Sequence, residues 1–190
     1  GHCGSQGATT TGYDRTAQGT FRASTFPGKD MAWVATNDQW TPTPDVKAQD
    51  GQEVQVTGSV QALVGASVCR SGSTTGWHCG TIEQHGASVR YPEGTVDGLT
   101  RTTVCAEPGD SGGSYVAGAQ AQGVTSGGSG DCTGGGTTFY QPVNPILSDF
   151  GLTLTTAAAQ TTPGSQQDGT QAWTAGRVYE AGTTVTRDGV

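Results

Sequence analysis

Residues 105–114 read Cys105-Ala106-Glu107-Pro108-Gly109-Asp110-Ser111-Gly112-Gly113-Ser114. Within this stretch the hydroxyl of Ser111 stands among glycines, which leave the neighbouring backbone N–H groups uncovered. Attack of a hydroxyl on a peptide carbonyl creates a negatively charged oxygen, and each fixed backbone N–H aimed at that oxygen lowers the barrier by about 2.7–4 kcal/mol. The pattern therefore predicts a nucleophile for acyl transfer. The alternative is a polar turn between two strands, which the 32 glycines of the chain keep open.

A serine hydroxyl is a weak nucleophile, so this prediction requires a histidine as general base and a carboxylate that orients it. The chain has three histidines, and all of them precede Ser111: His2, His78 and His85. This order excludes the nucleophile elbow of α/β-hydrolases, in which the histidine follows the serine. Chain order leaves two pairs open, His2 with Asp30 and His85 with Asp97.

Several separate motifs resemble those of bacterial chymotrypsin-like serine proteases. Gly1-His2-Cys3 is similar to the end of the stretch around their catalytic histidine, and residues 109–113 are similar to their nucleophile motif. Residues 102–113 and 123–132 resemble the actinobacterial streptogrisins, and residues 69–80 resemble the disulfide hairpin of α-lytic protease and its relatives. The similarity extends from the first residue to about residue 155. The resemblance implies an all-β fold of two six-stranded barrels with the active site in the cleft between them, a short C-terminal helix, and N-terminal strands that this sequence lacks.

The same resemblance implies a catalytic triad that consists of His2, Asp30 and Ser111. Asp30 lies where the family carries its aspartate, just before the apolar run Met31-Ala32-Trp33-Val34. Such a run carries a neighbouring carboxylate into a buried setting, where it must be paired, here with an imidazole. The backbone N–H groups of Gly109 and Ser111 are the implied donors to the oxyanion, and the carboxylate of Asp110 is expected to have a structural role.

Two segments are expected to form the substrate pocket: Ala106, Glu107 and Pro108 in one, and Thr125, Ser126, Gly127 and Gly128 in the other. Gly127 and Gly128 leave one wall without side chains, and Thr125 is small where the resemblance implies a large residue in α-lytic protease. Trypsin has a carboxylate at the base of its pocket, but the resemblance places none there in this chain. We therefore expect bulky apolar or aromatic P1 residues such as Phe, Tyr and Leu. The backbone of Ser126 and Gly128 is expected to pair with the substrate as an added strand.

Five cysteines are an odd number, which leaves one of them over. The resemblance implies the pairs Cys69–Cys79 and Cys105–Cys132, so that Cys3 has no partner. Its usual partner in the family lies upstream of the histidine, so we expect that the sequence begins inside the protease domain, after a signal peptide and a pro-segment. The alternative is a zinc site at Cys3, Cys69, Cys79 and the adjacent histidines, but it lacks a Cys-x-x-Cys pair. Disulfides favour an oxidising compartment and hence secretion.

The charge and hydropathy of the chain restrict its partners. It has 9 Lys and Arg against 16 Asp and Glu, and its net charge of −7 argues against a nucleic-acid partner, which would require a basic face. No apolar run approaches the roughly 18 residues that cross a bilayer. We expect a monomer that acts on polypeptide substrates, without a cofactor, a metal ion or a membrane.

Short apolar stretches separated by Gly, Ser, Thr and Asp predict an antiparallel barrel or sandwich. The expected strands cover residues 53–56, 60–68, 80–91, 101–104, 114–116, 121–125 and 137–143. Residues 144–151 are typical of one short helix, with Asn144 as N-cap, Pro145 in the first turn and Gly151 as terminator.

The composition changes after Leu154, which predicts a protease domain over residues 1–154, a flexible linker over 155–170 and a third segment over 171–190. The third segment resembles the opening of the small chitin-binding modules of bacterial hydrolases, with Trp173 and Tyr179 as carbohydrate contacts. About twenty residues cannot bury a core, so we expect this segment neither to fold nor to bind as it stands, and chitin to be a partner of the complete protein only. The alternative for residues 171–190 is a disordered extension. The alternative for the function of the whole protein is chitin binding on an inactive protease-like scaffold.

Overall fold

The computed structural model describes residues 1–157, 170–172 and 184–186. The chain divides into two units, Gly1–Ala158 and Ala159–Val190. In the second unit, the two described strands pair in parallel: Thr170–Ala172 and Thr184–Thr186. The first unit contains every predicted catalytic and pocket residue.

The first unit begins with an antiparallel sheet of three strands, which lie in the order β1 (Thr9–Thr11), β2 (Ala17–Thr25) and β3 (Met31–Thr36). Thr25 pairs with Met31, so residues 26–30 form a short loop between β2 and β3, and this loop ends at Asp30. A hairpin follows the sheet, and it consists of β4 (Asp45–Lys47), a 3-10 turn (Gln49–Gly51) and β5 (Glu53–Gln55).

A six-stranded barrel follows the hairpin in the first unit. Its strands are β6 (Ser67–Gly72), β7 (Gly76–Tyr91), β8 (Gly94–Thr102), β9 (Ser114–Ala117), β10 (Gln120–Asp131) and β11 (Gly135–Pro142). They close in the order β10, β11, β8, β7, β6, β9, and every neighbouring pair is antiparallel. The buried core of the barrel consists of Val68, Ile82, Val104, Tyr115 and Tyr140. Most of the predicted strands overlap these strands, which generally extend further.

The prediction of a strand over residues 60–68 is wrong for residues 60–66, because β6 begins only after them. The backbone of residues 60–62 bonds to amide side chains of β10, whereas residues 65 and 66 bond to the backbone of β7. Val60 N–H donates to Gln120 Oε1 at 3.0 Å, and Ala62 N–H donates to Gln122 Oε1 at 2.9 Å. Val60 is 73% exposed, so the apolar pattern of this segment does not mark a buried face.

Helix α1 (Val143–Phe150) follows β11. The prediction of Asn144 as its N-cap is wrong, because the helix begins directly after Pro142 and Asn144 Nδ2 donates instead to Ser59 O at 2.9 Å. Gly151 ends the helix as predicted, with a φ of 62° that glycine adopts without strain. Among the described residues, no helix is long and apolar enough to span a membrane.

Two disulfides link the strands and loops of the barrel. Cys69–Cys79 joins β6 to β7, and Cys105–Cys132 joins the loop after β8 to the residue after β10. Both predicted pairs are confirmed, and Cys3 is a free, exposed thiol. The alternative of a zinc site that uses Cys69 and Cys79 is wrong, because their sulfurs are bonded to each other and are not thiolate ligands.

Candidate active site

The loop between β2 and β3 places Asp30 against the turn that carries His2. Asp30 is only 2% exposed, and its Oδ2 lies 2.7 Å from His2 Nδ1. Its Oδ1 accepts hydrogen bonds from the backbone N–H of His2 at 3.0 Å and from the Gly1 amino group at 2.7 Å. The structure therefore brings two members of the predicted triad into direct contact.

This contact shifts the pKa values of the two side chains in opposite directions. Burial raises the pKa of the Asp30 carboxyl, but the hydrogen bonds from His2, the N-terminus and Ser126 outweigh burial and hold this pKa well below its usual range. The hydrogen bond to Asp30 is the largest cause that raises the pKa of His2 to about 10, and the contact with Cys3 adds to it. An ionised Asp30 thus stabilises the protonated form of the imidazole.

The second ring nitrogen of His2 faces the thiol of Cys3. Nε2 lies 3.6 Å from Cys3 Sγ, and the ring packs edge-on against Phe26 with centroids 5.7 Å apart. Within residues 1–157, no hydrogen bond joins His2 to Ser111. The structure thus joins the histidine to the aspartate, and it leaves the serine hydroxyl unbonded to the imidazole.

Ser111 is exposed in the loop between β8 and β9. Gly109 has a φ of 100°, and a Cβ there would lie 2.2 Å from Thr74 Oγ1, so only glycine fits this position. Gly112 N–H donates to Thr125 O at 2.9 Å and fixes the end of the turn on β10. Among the residues that the structure describes, neither the Gly109 N–H nor the Ser111 N–H has a hydrogen-bond partner. Both N–H groups are therefore available to bind an oxygen atom.

The buried carboxylate of Asp110 anchors this loop. It accepts hydrogen bonds from the backbone N–H groups of Thr74 at 2.9 Å, Thr75 at 3.0 Å and Glu107 at 3.0 Å. Burial raises the pKa of Asp110, but these hydrogen bonds outweigh burial and lower it to about 2. The contacts agree with the structural role expected for this residue.

Arg70 provides the cation that faces Asp110, and it is absent from the predicted site residues. The side chain is fully buried, its Nη2 lies 3.3 Å from Asp110 Oδ2, and its Nε donates to Cys105 O at 3.1 Å. Gly72 leaves room for it, because a Cβ there would lie 1.9 Å from Arg70 Nη1. A signal existed in the sequence: Arg70 and Val68 are two residues apart in one strand and so share its buried face, where a cation requires a partner.

A cavity of about 320 Å³ opens beside Ser111. Its lining includes every predicted pocket residue except Ser126 and adds Gly130; the full set is Ala106, Glu107, Pro108, Ser111, Thr125, Gly127, Gly128 and Gly130. Glu107 Oε1 accepts a hydrogen bond from Cys132 N–H at 3.1 Å, so this carboxylate is already engaged by the backbone.

Ser126 is buried, and its side chain contacts Asp30 rather than the cavity. Its Oγ donates to Asp30 Oδ2 at 2.6 Å, and the hydroxyl of Tyr91 lies 3.0 Å from the same Oγ. Tyr91 also packs on Phe26 with ring centroids 5.7 Å apart, and a Cβ at Gly127 would lie 2.5 Å from its hydroxyl oxygen. Tyr91 was not among the predicted site residues, although it connects the pocket wall to the aspartate.

The pair of His85 and Asp97, which chain order left open, does not form. The ring nitrogens of His85 lie 3.0 Å from Thr100 Oγ1 and 3.0 Å from Ala62 O. Asp97 instead accepts a hydrogen bond from Ser88 Oγ. Both residues therefore have partners outside the candidate site.

His78 lies close to the sulfurs of Cys105 and Cys132. These sulfurs form a disulfide, so the three residues are not a set of metal ligands, and His78 Nε2 lies 3.1 Å from Thr75 O. Trp173 and Tyr179, the predicted carbohydrate contacts, lie outside the described residues, as does most of the predicted linker. Their roles stay predictions.

Comparison with known proteins identifies the family. The family model described as Trypsin matches residues 3–149, which is most of the chain. The chain belongs to the trypsin family. Streptogrisin-C of Streptomyces griseus is 60% identical over 100% of this chain, and the chain spans 42% of the length of that relative. The predicted resemblance to streptogrisins is confirmed.

Two solved structures share the fold of this trypsin-family chain. Protease A of Thermobifida fusca is 58% identical with a TM-score of 0.78, over 82% of each chain. Cellulomonas bogoriensis chymotrypsin is 61% identical with a TM-score of 0.78, over 82% of this chain and 83% of the other. The predicted all-β, chymotrypsin-like fold with one short C-terminal helix is therefore confirmed.

The candidate site of this trypsin-family chain draws on both parts of the first unit. The three-stranded sheet and its N-terminal turn supply Asp30 and His2, while the barrel supplies Ser111 and the cavity. Ser126 and Asp30 are 96 residues apart in the sequence, and no local pattern links them. Only the folded chain shows that they are hydrogen-bonded.

Proposed function

We propose that this chain is a serine endopeptidase with Ser111 as nucleophile, His2 as general base and Asp30 as the group that orients the base. The observation that carries the proposal is the distance of 2.7 Å between Asp30 Oδ2 and His2 Nδ1. This contact holds a proton on Nδ1, and once the imidazolium has lost its other proton, above the His2 pKa of about 10, Nε2 is left to accept the proton of a nucleophile. Membership of the trypsin family supports the same reaction, the hydrolysis of peptide bonds.

In the proposed reaction, the Ser111 oxygen attacks the peptide carbonyl carbon while His2 Nε2 takes the hydroxyl proton. Nε2 lies 3.6 Å from Cys3 Sγ, so it exchanges this weak contact for the serine hydroxyl before the step. Asp30 stabilises the imidazolium, which then gives its proton to the leaving amine. The resulting acyl-enzyme is hydrolysed by a water molecule that His2 activates in the same way.

The N–H groups of Gly109 and Ser111 are the proposed donors to the oxyanion of the tetrahedral intermediate. Support comes from their lack of hydrogen-bond partners among residues 1–157. The ion pair of Arg70 with Asp110, together with the bond from Glu107 N–H to Asp110, holds the loop before a substrate binds. Donors that are fixed in advance need no reorganisation when the charge develops, which is why they lower the barrier.

The cavity supports a preference for bulky apolar or aromatic P1 residues. Its volume of about 320 Å³ accommodates a large side chain, and Gly127 and Gly128 contribute no side chains to its wall. Among the described residues that line the cavity, Glu107 carries the only carboxylate, and this group already accepts a hydrogen bond from Cys132 N–H, which weakens its attraction for a basic P1 side chain. A relative of 61% identity is named a chymotrypsin, which agrees with this preference.

Secretion is part of the proposal. Disulfides persist in oxidising compartments outside the cytosol, and this chain has two of them in its barrel. The proposed substrates are therefore extracellular polypeptides.

Cleavage of short peptide p-nitroanilides tests the proposed function. We expect kcat/KM to be at least about tenfold higher with Phe, Tyr or Leu at P1 than with Lys or Glu. Ser111→Ala is expected to reduce kcat by about 10³-fold or more, because no covalent intermediate can form. Ser114→Ala is the matched control, since Ser114 begins β9 and does not line the cavity.

Each outcome of this assay bears on a separate part of the proposal. Equal rates for the unaltered chain and Ser111→Ala would show that the serine is not the nucleophile. A Ser111-dependent activity that prefers Lys or Glu at P1 would retain the mechanism and contradict the proposed specificity.

A further inference from the structure

Gln141 is a fully buried polar residue that the proposed mechanism does not use. It lies near the end of β11, where its backbone pairs with Val124 of β10 in the closed barrel. The two strands approach closely there, because a Cβ at Gly123 would lie 2.2 Å from Gln141 O. The side chain of Gln141 therefore extends from a strand whose backbone is fixed by its neighbours.

The side-chain amide of Gln141 binds the backbone of the aspartate. Asp30 N–H donates to Gln141 Oε1 at 3.0 Å, and both residues are buried. The residues are 111 positions apart, and the bond joins the loop of the three-stranded sheet to the barrel. While Ser126 and His2 hold the carboxylate of Asp30, Gln141 holds its main chain.

The orientation of the Gln141 amide follows from this bond. If its oxygen and nitrogen exchanged places, Nε2 would face the N–H of Asp30, and two donors would meet. In the observed orientation Nε2 is buried without a hydrogen-bond partner among the described residues. The unpaired donor is unfavourable, but an apolar side chain of similar size would instead leave the buried Asp30 N–H without an acceptor, so the need for this acceptor accounts for a glutamine here.

The loop that carries Asp30 has a second attachment to the barrel at its middle residue. Gly28 N–H donates to Thr95 O at 2.8 Å, and Gly28 O accepts a hydrogen bond from Asp97 N–H at 3.0 Å. These bonds fix the middle of the loop, whereas the bond to Gln141 fixes its end. We infer that Gln141 is a positioning residue, which holds the Asp30 backbone so that the carboxylate meets His2 Nδ1. This inference rests on the proposed function.

Three variants of the full chain test the inference. Gln141→Met removes the acceptor with little change in side-chain volume, and Gln141→Glu keeps a carbonyl oxygen acceptor, because burial beside Asp30 is expected to keep the new carboxyl group protonated. The matched control is Gln122→Met, because Gln122 is a buried glutamine of β10 whose amide binds Ala62 N–H and Val60 O. We expect Gln141→Met to lower kcat about tenfold with KM within about twofold, since misplaced catalytic groups affect kcat first. Gln141→Glu is expected to keep kcat within about threefold of the unaltered chain, and Gln122→Met is expected to leave kcat unchanged.

The pKa of His2, followed by NMR titration, reports on the same contact without turnover. When Asp30 is free to move from Nδ1, the protonated imidazole loses part of its stabilisation. The pKa of His2 is therefore expected to fall in Gln141→Met and not to fall in Gln141→Glu or Gln122→Met.

Loss of kcat together with a lower His2 pKa in Gln141→Met, but not in Gln122→Met, supports the inference. An unaffected Gln141→Met, or equal losses in Gln141→Met and Gln122→Met, would overturn it.

Should Gln141→Met fail to fold, the unaltered chain still gives a test, because a scalar coupling across the hydrogen bond is expected between the Asp30 amide nitrogen and the Gln141 side-chain carbonyl carbon. Absence of that coupling would also overturn the inference. A chain whose hydrolysis depends on Ser111 but tolerates Gln141→Met contradicts the role of Gln141 alone, whereas hydrolysis that survives Ser111→Ala contradicts the proposed function.

Discussion

The carboxylate of Asp30 joins the turn that carries His2 to the barrel. Its carboxylate binds the His2 ring, the His2 N–H, the Gly1 amino group and the Ser126 hydroxyl. These contacts keep the carboxyl ionised and raise the pKa of His2 to about 10. Because this pKa lies above the 6.5 of an unperturbed histidine, the pair stabilises the fold most between about pH 4, where the Asp30 carboxyl of an unfolded chain is ionised, and pH 6.5, and this stabilisation is lost as the pH rises towards 10.

Asp30→Asn keeps the shape of the side chain and removes its charge. We expect the free energy of unfolding to fall by about 2 kcal/mol at pH 6, because a hydrogen bond to a charged group is lost. The deficit should narrow between pH 6.5 and 10, because over this range the unfolded chain has lost the His2 proton that the folded, unaltered chain still holds. Urea denaturation at several pH values measures both effects. Asp97→Asn changes the carboxylate that binds Ser88, and this control should show neither effect. A stability deficit of Asp30→Asn that is the same at pH 6 and pH 10 would contradict the account.

A buried ion pair, together with several hydrogen bonds, holds the β6–β7 hairpin against the loop of residues 105–113. Arg70 reaches Asp110 across 3.3 Å, and its Nη1 is buried without a hydrogen-bond partner among the described residues. The loop carries Ser111 and both proposed oxyanion donors, so its geometry depends on a residue in a different element. A substitution at Arg70 should therefore affect both stability and activity.

Arg70→Met leaves the Asp110 carboxylate buried without its cation. We expect a loss of about 3–5 kcal/mol in the free energy of unfolding, since removal of one partner from a buried pair leaves an uncompensated charge. Arg101→Met is the matched control, because Arg101 forms an ion pair with Glu83 at 2.9 Å but is 45% exposed. That change should cost less than about 1 kcal/mol. Urea denaturation of both variants checks the comparison, and equal losses would show that burial of the Arg70 pair does not matter.

Patterns within single elements predicted much of the barrel, and their failures have physical reasons. Alternation of apolar residues marked most of the barrel strands, and Gly151 marked the end of α1. The same alternation failed over residues 60–66, where glutamine side chains of β10 replace a strand as the hydrogen-bond partners of residues 60 and 62. Asn144 was misplaced as an N-cap because its amide binds the distant Ser59 O, a contact that no local pattern contains.

The whole first unit is needed to assemble the candidate site, since its base and its nucleophile belong to different sheets. The motifs identified His2, Asp30 and Ser111, because each lies in a short stretch with a known family pattern. The residues that connect the sheets, Ser126 and Gln141, bind Asp30 across 96 and 111 positions of the chain. Contacts of this kind depend on how the sheets pack, which a single sequence does not display.

Covalent labelling with a fluorophosphonate, mapped by mass spectrometry, tests most directly whether this serine is activated by this histidine. The account predicts a single modified residue, Ser111, with a labelling rate that rises as His2 loses its proton and that drops by at least about 10²-fold in Asp30→Asn. Ser111→Ala should take up no label. A label that appears elsewhere, or at Ser111 with the same rate when His2 is replaced by alanine, would contradict the central claim.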